Sequence, residues 1–140
     1  MYNYFVNSKV LTKSEFVIVL SHVISKIHRG SIMIEQRNKN GYTVTSISGK
    51  LMGGPETDEF NKYVDDLQNN GIVNLVFDLG GVRWINGAGI GALITCFNSF
   101  KNTKRSIKFA NPSPKVKDIL DITRLSAELE IYDSVESAIK

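Results

Sequence analysis

The residues whose types and spacing best suit chemistry lie in Ile85-Asn-Gly-Ala-Gly-Ile-Gly-Ala92. Gly87, Gly89 and Ala92 fit the G-x-G-x-x-G/A pattern, in which main-chain amides at a helix start cradle a pyrophosphate. A dinucleotide site also needs those glycines after the first strand of a βαβ unit, and a carboxylate about 20 positions on, at the end of the next strand. Here that strand, Ile107 to Ala110, ends in Asn111-Pro112. The other use of such a segment is steric: small residues let the first helical turn sit tightly on a sheet and leave an exposed, nearly side-chain-free surface for a protein partner. A nucleotide-binding enzyme is the remote alternative.

Other constellations for catalysis are scarce. Both histidines, His22 and His28, precede residue 32, so the rest of the chain offers no imidazole as general base or metal ligand. Cys96 falls near the apolar face of a helix and reads as a buried, inert thiol. Asp78, at the carboxyl end of an apolar strand, occupies an active-site-like position. It reads as a hydrogen-bonding residue that organises the following turn. Lys101, Lys104, Arg105 and Lys108 could form a phosphate-seeking patch, but cations at a helix carboxyl end ordinarily complement its dipole. Trp84 could be an exposed anchor, yet between Val82 and Ile85 a ring packed on the sheet is the expectation.

These residues must be positioned by elements that alternate between two periodicities. Ile32 to Gln36 and Tyr42 to Ile47 read as antiparallel strands, with Asn40-Gly41 supplying the positive φ angles of a tight hairpin. Pro55 suits a first helical position, and Glu56, Asp58 and Glu59 suit a positive helix start. Phe60, Val64 and Leu67 form a 3.6-period stripe that ends at Asn70-Gly71. Ile72 to Leu79 is apolar on both faces except at Asn74 and Asp78, as in a central strand of an α/β sheet. Gly80-Gly81 then turns the chain, and a helix capped by Asn86 buries Ile90, Leu93, Ile94, Phe97 and Phe100. Ile107 to Ala110 is a strand, Ser113 caps a helix opened by Pro114, Leu129 to Tyr132 is a last strand, and Asp133 or Ser134 starts a terminal helix. The order predicts an α/β fold, β-β-α-β-α-β-α-β-α, in one domain spanning 32–140.

Composition narrows the partners. The 140 residues carry 17 Lys and Arg against 14 Asp and Glu. The +3 surplus belongs to residues 1–31, while residues 32–140 carry 13 of each sign. A neutral domain argues against nucleic acid. One cysteine points to a reducing compartment, so cytoplasm is the expectation, and a disulfide scaffold or a zinc site of the usual Cys/His kind is excluded. No apolar run approaches the ~20 residues of a membrane span. Residues 1–31, with the apolar stretch Phe16 to Leu20, read as an amino-terminal extension, a short amphipathic helix or added strand. Arg29-Gly30 could also be encoded by a purine-rich ribosome-binding site, which would place the start of translation at Met33.

Residues 33–139 resemble the STAS domain, the sulfate-transporter and anti-sigma-factor-antagonist family. Val73 to Leu93 resembles the family's apolar strand, Asp-Leu-x-x-Val, an aromatic, then Ile-Asp-Ser-Ser/Ala-Gly-Leu-Gly. Ile107 to Ile139 resembles its strand, Asn-x-x-Pro-x-Val, helix, Thr-x-Leu, closing strand and terminal helix. The resemblance implies a small mixed β-sheet with helices mainly on one side. It also implies binding rather than catalysis, with no cofactor and no metal. The partner-binding residues would be Asn86, Gly87, Ala88, Gly89 and Ile90, docking on an anti-sigma factor of serine-kinase fold. An accessory subunit of an ABC lipid transporter, docking on its ATPase, is the alternative. Family members are switched off by phosphorylation of a serine in this loop, where a phosphoryl group adds about two negative charges to the contact. Here Asn86 replaces the usual Asp, and Gly87 and Ala88 replace the serine pair, so the resemblance implies no phosphorylation site between Ile85 and Ala92.

Overall fold

The computed structural model describes residues 4–6, 9–11 and 32–140. Strands β1 (Tyr4–Val6) and β2 (Lys9–Leu11) pair antiparallel. The apolar stretch Phe16 to Leu20, His22, His28 and Arg29-Gly30 lie outside the described residues. From Ile32 the elements are β3 (Ile32–Lys39), β4 (Tyr42–Leu51), α1 (Pro55–Asn69), β5 (Asn74–Ile85), α2 (Gly87–Asn102), β6 (Ser106–Ala110), α3 (Pro114–Ile122), β7 (Ile131–Tyr132) and α4 (Val135–Ala138).

The β3–β4 hairpin closes through Asn40 and Gly41 at φ 52° and 80°, the left-handed pair a two-residue turn of this kind requires. The sheet order is β3-β4-β5-β6-β7, with β3 antiparallel to β4 and every later pair parallel. Because each parallel strand is added on the same side of its predecessor and crossovers are right-handed, α1, α2 and α3 must all fall on one face. Leu75, Phe77 and Leu79 of β5 meet them there, together with Phe60, Leu93, Phe109 and Val116. Phe77 lies 5.4 Å from the Phe60 ring and 5.9 Å from Phe109. The opposite face is covered in part by α4, through Val135, Ala138 and Ile139 on Val44, Val76 and Ala110.

The expected turn at Gly80-Gly81 is not formed; β5 runs through it to Ile85. The glycines instead mark a bulge. Ser46 pairs with Asp78 and Ser48 with Gly81, so β5 spends an extra residue there. A second irregularity pairs Gly49 with Val82 and Lys50 with Trp84, leaving Arg83 over. A Cβ on Gly81 would lie 2.9 Å from the Ile47 carbonyl, so the two backbones approach this closely only with glycine. Each bulge resets the alternation, so the core-facing residues of β5 run Leu79, Val82, Ile85 at intervals of three.

Two smaller expectations are also corrected. Ser113 precedes α3, but its hydroxyl donates to the Val82 carbonyl (2.6 Å) rather than capping the helix. The final strand is only Ile131–Tyr132, although the Glu130 carbonyl accepts from the Phe109 amide at 2.8 Å. Ser134 does cap α4, in a reciprocal box with Ser137.

Beneath α1 lies a buried polar relay. Thr45 donates to the Tyr63 hydroxyl (2.9 Å), which donates to Gln36 Oε1 (2.6 Å). Burial pushes the Tyr63 hydroxyl up to about 12, against the opposing effect of the Thr45 bond. The folded state thus holds this proton more tightly than the unfolded chain, so the contribution is complete below pH 10 and is lost as pH rises toward 12. Tyr63→Phe, which leaves the Gln36 oxygen without its donor and the Thr45 hydroxyl without its acceptor, is expected to cost about 1–2 kcal/mol in urea unfolding at pH 7. The loss of stability between pH 10 and about 12 should also be shallower in the variant than in the wild type.

Candidate docking site

At the carboxyl end of the parallel strands, the starts of α1, α2 and α3 gather. Asn86 joins the first two. Its Oδ1 accepts from the Gly89 amide (3.1 Å), its Nδ2 donates to the Met52 carbonyl (2.9 Å), and its own amide donates to the Leu51 carbonyl (3.3 Å). The N-cap expected from sequence is therefore also a strut to the β4–α1 loop. Gly89 lies directly against the Leu51 carbonyl, and an added Cβ would also come within 2.8 Å of Ile85 Cγ1. This is the close seating of the helix start on the sheet that small residues permit.

The loop is held from its other side by α1. The Glu56 carboxylate accepts from the amides of Met52 (2.9 Å) and Gly54 (3.2 Å), and Thr57 Oγ1 accepts from Gly53 (2.9 Å). Bonds from its own amide and that of Met52 hold the Glu56 carboxyl below the ordinary 4.5; desolvation opposes them, and Gly54 and nearby Lys50 add to the lowering. Sequence reasoning gave Glu56 only a dipole role. Its position two residues after Gly54, in Gly-Gly-Pro-Glu, was the available sign that it binds backwards.

Of the five expected contact residues, Gly87 and Ala88 are exposed and Asn86 half-exposed. Gly89 and Ile90 are buried, Ile90 in the core, so these two shape the surface from below. No side chain larger than a methyl projects from Gly87 or Ala88. The Gly89 amide, one a pyrophosphate would need, is already taken by Asn86. Beside Ala88 a cleft of about 330 Å³ runs between α1 and α2, lined by Thr57, Asn61, Val64, Ala92 and Thr95 among others. Cys96 lies at its floor, where burial, with a smaller effect from Asp65, pushes the thiol well above its ordinary value. That is the opposite of what a nucleophile requires.

Asp78 organises the bulge rather than a turn: its Oδ1 accepts from the Gly80 amide (3.0 Å) and from Asn111 Nδ2 (3.1 Å), while Oδ2 faces Ser46 Oγ (3.4 Å). The basic residues at the end of α2 and after it are mostly engaged in structure. Lys101 pairs with Glu130 (2.6 Å), Arg105 donates to the Gln68 carbonyl (3.0 Å), and Lys108 sits against the Tyr42 and Tyr132 rings and donates to the Ala138 carbonyl (2.9 Å). Trp84 departs from expectation: it is 56% exposed, with Lys115 Nζ 3.5 Å from its ring centroid. Val82 and Ile85 on either side of it face the core, and the residue left over by the second bulge lies between Val82 and Trp84. Among the described residues, no group of three or more His, Cys, Asp or Glu is placed to hold a metal, and no helix is long and apolar enough to cross a membrane.

Residues 31–138 match the family model of the STAS domain. The chain belongs to the STAS domain family. A Thermotoga maritima protein named as a candidate anti-sigma factor antagonist is 26% identical over 82 residues, 58% of this chain and 73% of that protein. Among solved structures, an anti-sigma factor antagonist from Mycobacterium paratuberculosis superposes with a TM-score of 0.68 at 18% identity, covering 78% of this chain and 92% of that one. The murine anion transporter Slc26a9 gives 0.61 at 15% identity, over 89% of this chain but 24% of the transporter. The mixed sheet with its three helices on one face is thus the STAS fold.

Removing the strut should be felt locally in this STAS domain. Asn86→Ala is expected to lower stability by about 1 kcal/mol, the usual cost of an N-cap, and to speed amide exchange at Gly89. For Glu56, whose depressed folded value means that the unfolded chain binds the proton more readily, stabilisation is present above pH 4.5 and lost as pH falls through the folded value. The stability difference between wild type and Glu56→Gln should accordingly be full at pH 7 and shrink below pH 4.5 in thermal unfolding.

Proposed function

We propose that this STAS domain is a non-enzymatic regulatory module that antagonises an anti-sigma factor of serine-kinase fold, docking through the start of α2 in the cytoplasm and so controlling transcription. The domain would be residues 32–140. The observation that carries the reading is the exposed Gly87-Ala88 surface, held rigid from beneath by Gly89 on Leu51 and from the side by Asn86 on Met52. A preordered, flat contact loses little conformational freedom on binding, which favours docking of another folded surface. The relatives named as anti-sigma factor antagonists support the choice of partner.

No hydroxyl stands between Ile85 and Ala92. The antagonist would therefore be constitutive, or governed by its synthesis or by its partner. The same absence favours a second reading, an accessory subunit docking on the ATPase of an ABC lipid transporter. The two differ in what binds.

A tagged full-length chain, used to recover partners from its native cell, is expected to retain a small serine-kinase-like ATPase and to lose it on Ala88→Glu, with the melting temperature nearly unchanged. Recovery of permease and lipid-binding subunits would move the protein to transport. Binding that survives Ala88→Glu would move the docking surface elsewhere. Incubation of the pair with ATP should leave the intact mass unchanged; a phosphate on Thr95 or Ser99 would reveal a relocated switch.

A further inference from the structure

The surface around Trp84 is not explained by the fold. Two consecutive residues, Arg83 and Trp84, are both exposed because the β5 bulge leaves Arg83 without a partner on β4. Trp84 pairs in register with Lys50, also exposed, and Lys115 from the start of α3 lies over its ring. One aromatic thus has a cation over its ring, a second opposite it on β4 and a third beside it in sequence, from three elements. Among the described residues, Lys50, Arg83 and Lys115 make no salt bridge, and Asp118, one turn on from Lys115, is not paired with it. Trp84 is 56% exposed, and Met52, whose carbonyl accepts from Asn86, is 41% exposed two residues after Lys50. In a domain that is charge-neutral as a whole, these three cations lie close in the fold, and that defines what fits the surface.

We propose that the docking surface extends from the start of α2 to Trp84, and that its occupant is the acidic surface of a folded protein, with an apolar recess that receives the indole. This rests on the reading of the α2 start as a protein contact. Lys50, Arg83 and Lys115 form a cationic rim that steers the acidic partner, and Trp84 is the anchor. Exposed tryptophan and arginine side chains are the types that dominate interface energetics when desolvated, and rim charges govern association rate. An aromatic flanked by cations also suits an anionic membrane, but three charges and one ring are a small footprint for stable attachment. The firmly braced Met52–Asn86 junction presents a rigid surface that matches another rigid surface better.

Trp84 is the only tryptophan, so its fluorescence reports occupancy directly. The full chain is titrated singly with each serine-kinase-fold anti-sigma factor encoded in the same genome, and in parallel with vesicles of phosphatidylcholine and phosphatidylserine. One of the proteins is expected to shift Trp84 emission to the blue. Trp84→Ala should weaken that complex about thirtyfold or more. The Lys50→Glu, Arg83→Glu, Lys115→Glu combination should slow association about ten- to a hundredfold at low salt, and the effect should fade as salt is raised. All four positions are exposed, so melting temperatures check that the fold is kept. A complex that forms with Trp84 emission, affinity and rate all insensitive to these changes overturns the proposal, and its loss on Ala88→Glu would leave the α2 reading standing. Binding that tolerates Ala88→Glu but not Trp84→Ala keeps the patch and retires the α2 start. If no anti-sigma factor moves the emission, the proposal is overturned, and a shift with the anionic vesicles alone would make the patch a membrane contact.

Discussion

The arrangement at the carboxyl end of the parallel strands depends on one close approach, the backbone of α2 at Gly89 against the Leu51 carbonyl at the end of β4. No other residue type fits there, since a single added carbon would collide with a main-chain oxygen that has nowhere to move. The contact fixes the depth of α2 on the sheet, and Asn86 then fixes its direction by bonding to its own helix at Gly89 and across to Met52. The loop so captured is gripped from behind by Glu56 and Thr57. Three elements are thereby locked around a few small residues, and what emerges at the surface is the first turn of a helix with almost no side chains on it.

The polar groups divide into two sets by where their partners lie. Inside, Thr45, Tyr63 and Gln36 satisfy one another under α1, and among the described residues no buried side-chain nitrogen or oxygen lacks a partner. On the opposite face of the sheet, Lys108 spans two tyrosine rings and the Ala138 carbonyl, closing α4 over Val76 and Ala110. Such groups are costly to leave unpaired, and the fold uses them as fasteners. The cations near Trp84 are held more loosely: Lys115 lies over the indole and Lys50 acts on Glu56 only through its field, and among the described residues neither they nor Arg83 form a salt bridge.

Much of this was legible from the residues. Asn40-Gly41, Pro55, Asn86 and Pro114 announced a hairpin and three helix starts because each carries a local backbone preference that needs no tertiary knowledge. The apolar stripe of α1 and the doubly covered strand β5 followed from periodicity. The errors cluster where local preference and tertiary packing diverge. Gly80-Gly81 looks like a turn, yet the same absence of side chains admits Ser48 and Ile47 at close range within a continuous strand. Trp84 looks packed because it stands between Val82 and Ile85, both of which face the core, and yet it comes out exposed. Ser113 and Glu56 have helix-start chemistry but spend it on Val82 and on the preceding loop. The small-residue start of α2 was readable through its glycines, but the exposure of Met52, Arg83 and Trp84 nearby was not.

These misread residues bear on how such a surface could be selective. Gly87 and Ala88 present little more than backbone, and a surface of that kind is complementary to many flat partners and discriminates poorly among them. Specificity is a difference of affinities, and it has to be placed where partners differ. A phosphoryl charge in the centre of such a contact would separate bound from released states, but here the centre offers no hydroxyl to carry one. On the proposed reading, discrimination moves to the periphery. There the β5 bulge brings Arg83 and Trp84 out beside Lys50 and Lys115, so that a partner with a basic face is repelled and one with an acidic face is drawn in. A charge set into the fold cannot be removed by a phosphatase or added by a kinase. Such a surface chooses its partner permanently, and regulation is left to the supply of the two proteins.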